Sequence, residues 1–373
     1  MKAIGIILTD GKNEQLGDLA MNRAVASMPI ASSYRAIDFA MSNMANSGIQ
    51  KVGVITQYNS RSLIDHLSSA KWWDLGRKHG GLFIFSPYLT QDNFFWYRGT
   101  ADALYQNISF LRRSNEPYVV IAPGEQICKI DYKKILNYHV EQKADITLVC
   151  KSLKEEECKK MCSDYTVVQV DENQRIIHLE DKPLEPLSTI IFMDIYIIQR
   201  TLLIKLLEKV CHEEQFDLVN DLLIRYRKKL NIKAYFFQEY WKNIRNIKDY
   251  YDINMDFLNQ KIRNVFLKKA PYILTKVKDE APAKYNRYAK VKNSLIGDGC
   301  IINGDVDTSI LFRRVYIGDQ TQIQGVFILE GSYIGNNCIV QHAIIDEEVV
   351  VSDGKKIIGK PEDPIIVRKG TVI

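Results

Sequence analysis

An apolar run, Ala3-Ile4-Gly5-Ile6-Ile7-Leu8, passes directly into Thr9-Asp10-Gly11-Lys12-Asn13-Glu14-Gln15-Leu16. The run reads as a buried strand followed at once by a loop. Where such a loop holds phosphate it is rich in glycine, so that backbone N–H groups reach the anion, and it carries a cation. Here two acids, Asp10 and Glu14, and a neutral amide, Gln15, occupy a place that should attract anions. The position is that of a phosphate cradle; the chemistry is not.

The elements that would hold this turn alternate strand and helix up to about residue 255. Val52–Ile55, Tyr118–Ala122 and Asp145–Val149 are further short apolar runs, and segments with helical spacing follow them. That rhythm predicts a mostly parallel sheet covered by helices, with ligands at the carboxyl ends of the strands. Thr166–Val170 and Ile190–Ile198 predict a mixed edge. A charged stretch with Pro271 and Pro282 reads as a linker over 259–288. Beyond it Ile296-Gly297, Ile317-Gly318 and Ile334-Gly335 begin similar units, 21 and 17 residues apart. An aliphatic residue at every sixth position predicts a parallel β-helix.

At 373 residues the chain is long enough for two domains, and 46% hydrophobic content supplies their cores. A net charge of +5, from 50 basic and 45 acidic residues, gives no concentrated basic stripe and argues against nucleic acid. No run approaches the roughly 20 apolar residues of a membrane span. The amino-terminal residues lack the build of a secretion signal. Seven scattered cysteines, with Cys158 and Cys162 four apart on a predicted helix, lead us to expect a cytoplasmic protein with reduced thiols.

Longer blocks carry a family resemblance. Tyr34-Arg35-Ala36-Ile37-Asp38-Phe39-Ala40-Met41-Ser42-Asn43, Asn46-Ser47-Gly48-Ile49 and Thr56-Gln57-Tyr58 come first. Trp96-Tyr97-Arg98-Gly99-Thr100-Ala101-Asp102-Ala103-Leu104-Tyr105-Gln106-Asn107, Lys129-Ile130-Asp131-Tyr132, Asp181-Lys182-Pro183 and Tyr240-Trp241 follow. In this order, over nearly the whole chain, they resemble bacterial glucose-1-phosphate adenylyltransferase, or ADP-glucose pyrophosphorylase. The resemblance implies a Rossmann-like nucleotidyltransferase domain over 1–258, then the linker. A left-handed β-helix with hexapeptide repeats would fill 289–373. It also implies a reaction in which glucose 1-phosphate attacks the α-phosphate of ATP and pyrophosphate leaves, with Mg²⁺ held by carboxylates.

Carried over residue by residue, the site is depleted. Gln15 stands where the family has Arg, Asp10 and Gly11 where it has paired glycines, and Val25 where it has Lys. Glu125, in Gly124-Glu125-Gln126, replaces an aspartate that holds metal, and neutral Asn243 replaces the second, with Arg245 in place of a glycine. In the sugar-phosphate pocket Asp181-Lys182 stands for Glu-Lys, Thr166 for Gly, Phe192 for Ser and Asp194 for Gly. Gln57, Tyr97, Gly99, Thr100, Asp181 and Lys182 are remnants of ligand binding, although Trp96–Asn107 could equally be retained for packing and Lys182 could be a surface residue.

The chain is therefore expected to retain no intact catalytic set and no metal of its own. It resembles the non-catalytic subunit that pairs with a catalytic, Mg²⁺-dependent one in some Gram-positive glycogen-synthesising bacteria. That implies a hetero-oligomer, tetrameric in the family, tuned by a phosphorylated metabolite. Alternatives are an active adenylyltransferase that rebuilds its metal site from Glu125, Asp181 and Asp194, and an acyltransferase or scaffold using only the β-helix. His342, on a coil edge, could be a base in that last case or simply structural. Arg313 and Arg314 could bind an anionic effector at the domain junction or be a solvated pair.

Overall fold

Ala3–Leu8 is apolar throughout, and it lies at the centre of a nine-stranded sheet with both faces covered. Ala3 and Ile7 enter one hydrophobic cluster and Ile4 and Ile6 the other, as the two-residue period of a strand requires. The strand runs parallel to Lys51–Ile55 and to Tyr118–Pro123, and Gly81–Phe85 extends the parallel half. This computed structural model describes residues 2–9, 14–68, 70–76, 80–87 and 96–373, without the side chains of Lys159 and Lys160.

The other half is mixed. Ile190–Gln199 lies antiparallel to both Tyr118–Pro123 and Ile146–Ser152, while Thr166–Val170 and Ile176–Asp181 form an antiparallel edge. The long strand shifts register between Phe192 and Tyr196, and inside that bulge Asp194 sits at φ 55°. A bulge re-aims side chains next to a site.

The carboxyl-terminal domain stacks parallel strands in three five-stranded sheets, a parallel β-helix. Ile302, Ile317, Ile334 and Val351 sit directly above one another, coil on coil, and are buried. The six-residue period thus becomes a column of aliphatic side chains. The first coil strand is Lys284–Tyr285, earlier than the sequence boundary at 289. Much of the expected linker is also folded, because Phe266 is fully buried against Phe39 and Phe257.

A third cluster joins the domains. Tyr250, on the helix Ile247–Asp256, meets Phe327 of the β-helix edge-on at 5.0 Å, and Arg23 pairs with Asp346 at 2.7 Å. One thiol expectation is corrected. Cys158, on the helix Glu155–Met161, and Cys162, which caps it and begins the 3₁₀ turn Cys162–Asp164, form a disulfide, while the other five cysteines are free. Among the described residues no helix is long and apolar enough to cross a membrane.

Candidate functional site

The carboxyl ends of Ala3–Leu8 and Tyr118–Pro123 open onto a cavity of about 210 Å³, bordered by Leu8 and Pro123. Among the described residues its lining holds five carboxylates, from Glu125, Asp164, Asp181, Asp194 and Asp217, and one ammonium, Lys182. From these residues an entering anion meets mostly like charge. Two unit charges about 4 Å apart interact by about 4 kcal/mol at an effective dielectric near 20.

Of the two expected metal positions, Asn243 ends a short strand and Glu125 lies in the bend just before the neighbouring one. Trp241–Asn243 pairs antiparallel with Gln126–Cys128, which sets Asn243 opposite Gln126 and one residue out of register with Glu125. Gln126 fastens this corner, donating to the Met193 carbonyl at 2.7 Å and accepting from the Trp241 indole at 3.0 Å. Glu125 lines the cavity. Asn243 does not, and its buried Oδ1 accepts no hydrogen bond among the described residues. Nor does any group of three His, Cys, Asp or Glu among those residues converge as a metal site. One carboxylate and a withdrawn amide do not fit Mg²⁺, which demands near-octahedral oxygen donors.

Arg245 is the residue expected where the family has a glycine. Its guanidinium bonds Asp164 at 2.8 Å and Asp249 at 2.9 Å and lies over the Tyr165 ring at 4.8 Å. Arg245 is thus a clamp between two acids.

Val25 is not merely an absent cation. It forms part of the short turn Val25–Ser27, is 2% exposed, and packs in the cluster of Leu16, Tyr250 and Ile253. Gln15 is exposed on the 3₁₀ turn Glu14–Ala20. Asp10 and Gly11 lie outside the described residues.

The sugar-phosphate positions divide. Thr166 donates to Asp181 Oδ1 at 2.8 Å, and both line the cavity with Asp194. Lys182, exposed and at φ 48°, stands beside them. Phe192 is elsewhere: its ring is 0% exposed and meets Tyr196 edge-on at 4.8 Å, so it fills the core beside the cavity and not the ligand space.

The Trp96–Asn107 block is held chiefly by its own bonds. Asp102, buried, accepts from the Arg98 amide and from Gln106, and Asn107 donates to the Tyr97 hydroxyl. At Gly99 a Cβ would lie 2.4 Å from the Phe216 carbonyl, so only glycine allows that approach. Thr100 reaches the cavity, donating to Asp217 Oδ2 and accepting from the Leu218 amide. Gln57 is half-buried away from this lining, next to the Tyr58–Trp96 stack.

Sequence reasoning missed Asp217, Tyr196 and the hydroxyl of Tyr165. Asp217 carried a signal: an Asp before the apolar run Leu218–Ile224 is a helix cap, and it accepts from the Val219 and Asn220 amides. Burial, then Asp194, Asp217 and Asp181, push the Tyr196 phenol well above its ordinary range.

A second cavity, about 40 Å³, lies between the domains and gathers Arg35, Lys276, Lys278 and Arg313 with Glu330 and Glu347. Arg313 donates to the Ser33 carbonyl, whereas Arg314 is tied to Glu330 at 2.7 Å. His342 is half-buried where the domains meet, with Nδ1 3.4 Å from the Tyr251 hydroxyl.

Two family profiles match the chain: one described as Nucleotidyl transferase, over residues 4–260, and one described as GlmU-like, C-terminal hexapeptide, over 280–364. Proteins named glucose-1-phosphate adenylyltransferase from Bacillus thuringiensis (strain Al Hakam), Bacillus mycoides (strain KBAB4) and Bacillus anthracis are each 34% identical to it. Each comparison covers 99% of this chain and 98% of the relative. With an α/β sheet whose cavity lies at the carboxyl ends of its parallel strands, and a β-helix behind it, the chain belongs to the glucose-1-phosphate adenylyltransferase family.

Proposed function

We propose that this chain is a non-catalytic or weakly catalytic regulatory subunit of ADP-glucose pyrophosphorylase in glycogen synthesis. It modulates a catalytic partner that makes ADP-glucose and pyrophosphate from ATP and glucose 1-phosphate. The observation that carries this reading is that the described residues of the cavity lining bring five carboxylates and one lysine, where pyrophosphate release needs cations around the transferred phosphorus. Burial of Val25 in the core supports it, because the family's lysine could not be restored there by a rotamer change. In this reading Mg²⁺ belongs to the partner's site.

Modulation requires contacts that differ between the partner's active and inactive states. The basic groups of the inter-domain cavity suit a phosphorylated metabolite, although about 40 Å³ admits one only if the junction opens. Coexpression with a catalytic homologue, followed by native mass analysis and assay, tests the reading. Mixed oligomers with altered kinetics are expected; separate homo-oligomers with unchanged kinetics contradict it.

The alternative, an active enzyme with a rebuilt metal site, has Glu125, Asp181 and Asp194 in the lining of one cavity, although among the described residues they do not converge as a metal site. Mg²⁺-dependent pyrophosphate release by the purified chain, lost in Glu125→Gln, would establish that alternative.

A further inference from the structure

We propose that the Cys158–Cys162 bond is a reversible redox switch, which stiffens one wall of the cavity at the strand ends when oxidised and loosens it when reduced. The inference is independent of whether the chain is catalytic.

The first argument is placement. Two residues beyond Cys162 the chain enters the cavity wall, where Asp164, Tyr165 and Thr166 follow one another in the lining. Asp164 accepts from Arg245 at 2.8 Å, and Thr166 donates to Asp181 at 2.8 Å. The Tyr165 amide donates to the Cys162 carbonyl at 3.2 Å, and the Tyr165 carbonyl accepts from the Lys182 amide at 3.2 Å. The wall is thus hung on Cys162 at one end.

The second is reach. Disulfides that stabilise a whole fold close long loops, whereas this one spans a separation of four. It constrains little of the unfolded chain and fixes mainly the end of one helix. Seven residues are too few for a helix to persist alone. Glu155, Glu156 and Glu157 are exposed, and among the described side chains of that helix only Cys158 is buried.

The third is that the reduced form has a place ready. Cys158 Sγ stands 3.6 Å from the Ser188 carbonyl oxygen, an acceptor for the thiol that reduction creates. The other cysteines do not compete. Burial pushes Cys128 and Cys211 up to about 12 and Cys300 to about 11, which keeps these thiols protonated and inert, and Cys150 and Cys338 are buried.

The step is exchange with a dithiol. When the short helix opens locally, a dithiol thiolate attacks Cys158 Sγ, on the residue that is 6% exposed where Cys162 is 0%. Cys162 leaves as a thiolate and takes up a proton. The second sulfur of the dithiol then attacks the mixed disulfide and frees Cys158 as a thiol. The protein gains two electrons and two protons, and the dithiol ends as a disulfide.

The test uses the full chain purified without reductant, its free thiols alkylated and its linked pair mapped by mass. Cys158 and Cys162 are expected to be linked, and graded mixtures of reduced and oxidised dithiothreitol should open and re-form that bond alone. Hydrogen exchange is then compared between the two forms. Peptides covering 155–166 and Lys182 are expected to exchange about tenfold faster after reduction, with the β-helix unchanged. Cys158→Ser should show the fast pattern without dithiol and no further response to it. The two wild-type forms need no variant, so a misfolded mutant cannot mask the answer. Free thiols at both positions even after oxidation overturn the proposal, as does a bond that dithiothreitol opens only when the chain unfolds. Equal exchange in the two forms, or a response to dithiol that survives Cys158→Ser, overturns it as well.

Discussion

Arg23 Nη2 donates to Asp346 Oδ1 at 2.7 Å, joining the turn after the first strand to the β-helix across 323 residues of chain. Both side chains are buried, and Glu347 stands 3.4 Å from the same nitrogen. The segment just before Val25 thus hangs on the other domain. A conformational bias in either domain has a direct physical route to the other.

Arg23→Ala would leave Asp346 buried with the Glu347 amide but without its cation. Removing one partner of a buried ion pair costs about 3–5 kcal/mol, far more than the pair itself contributes. Urea unfolding of the purified chain should show that loss. A change under about 1 kcal/mol would mean that the junction is wetter than its burial indicates.

Val25→Lys tests whether the lost cation can return. The amine would enter the cluster of Leu16, Tyr250 and Ile253, so a loss of about 3 kcal/mol or more is expected. Wild-type stability in that variant would show instead that the turn swings outward.

At Asp194, φ is 55°, a conformation glycine adopts freely. Asp194→Ala should therefore be about 1 kcal/mol less stable than Asp194→Gly. Paired thermal melts check the order. Equal stability would mean that the bulge relaxes.

Burial lowers the His139 pKa to about 4 from its ordinary 6.5, with Asp145 pulling weakly the other way. The unfolded chain takes up its proton near pH 6.5 and the folded chain only near 4. The stability that neutral His139 allows is therefore full above about pH 6.5 and lost as pH falls toward 4. Stability curves should slope downward over that window, and His139→Gln should flatten them.

Much of this architecture was legible because it depends on periodicity. The column of Ile302, Ile317 and Ile334 follows from a six-residue repeat, and Ala3–Leu8 from an unbroken apolar run. The expectations that changed depend on where a side chain points. Phe192 reads as an obstruction in the ligand space, but the strand alternation beside the bulge turns it into the core. Val25 reads as a missing charge and proves to be a core residue. The Cys158–Cys162 bond required the thiol on the helix to meet one in the turn that ends it, which spacing permits but does not dictate. Asp164 ends a 3₁₀ turn and Asp217 caps a distant helix, so only the fold brings them to the Asp181–Asp194 cavity.

The most direct measurement is ADP-glucose formation from ATP, glucose 1-phosphate and Mg²⁺, by this chain alone and then mixed with a catalytic homologue. The account predicts a rate at or near background for the chain alone, and a mixed assembly whose kinetics differ from those of the homologue. Sustained turnover by the unaccompanied chain at a rate matching that homologue would contradict it.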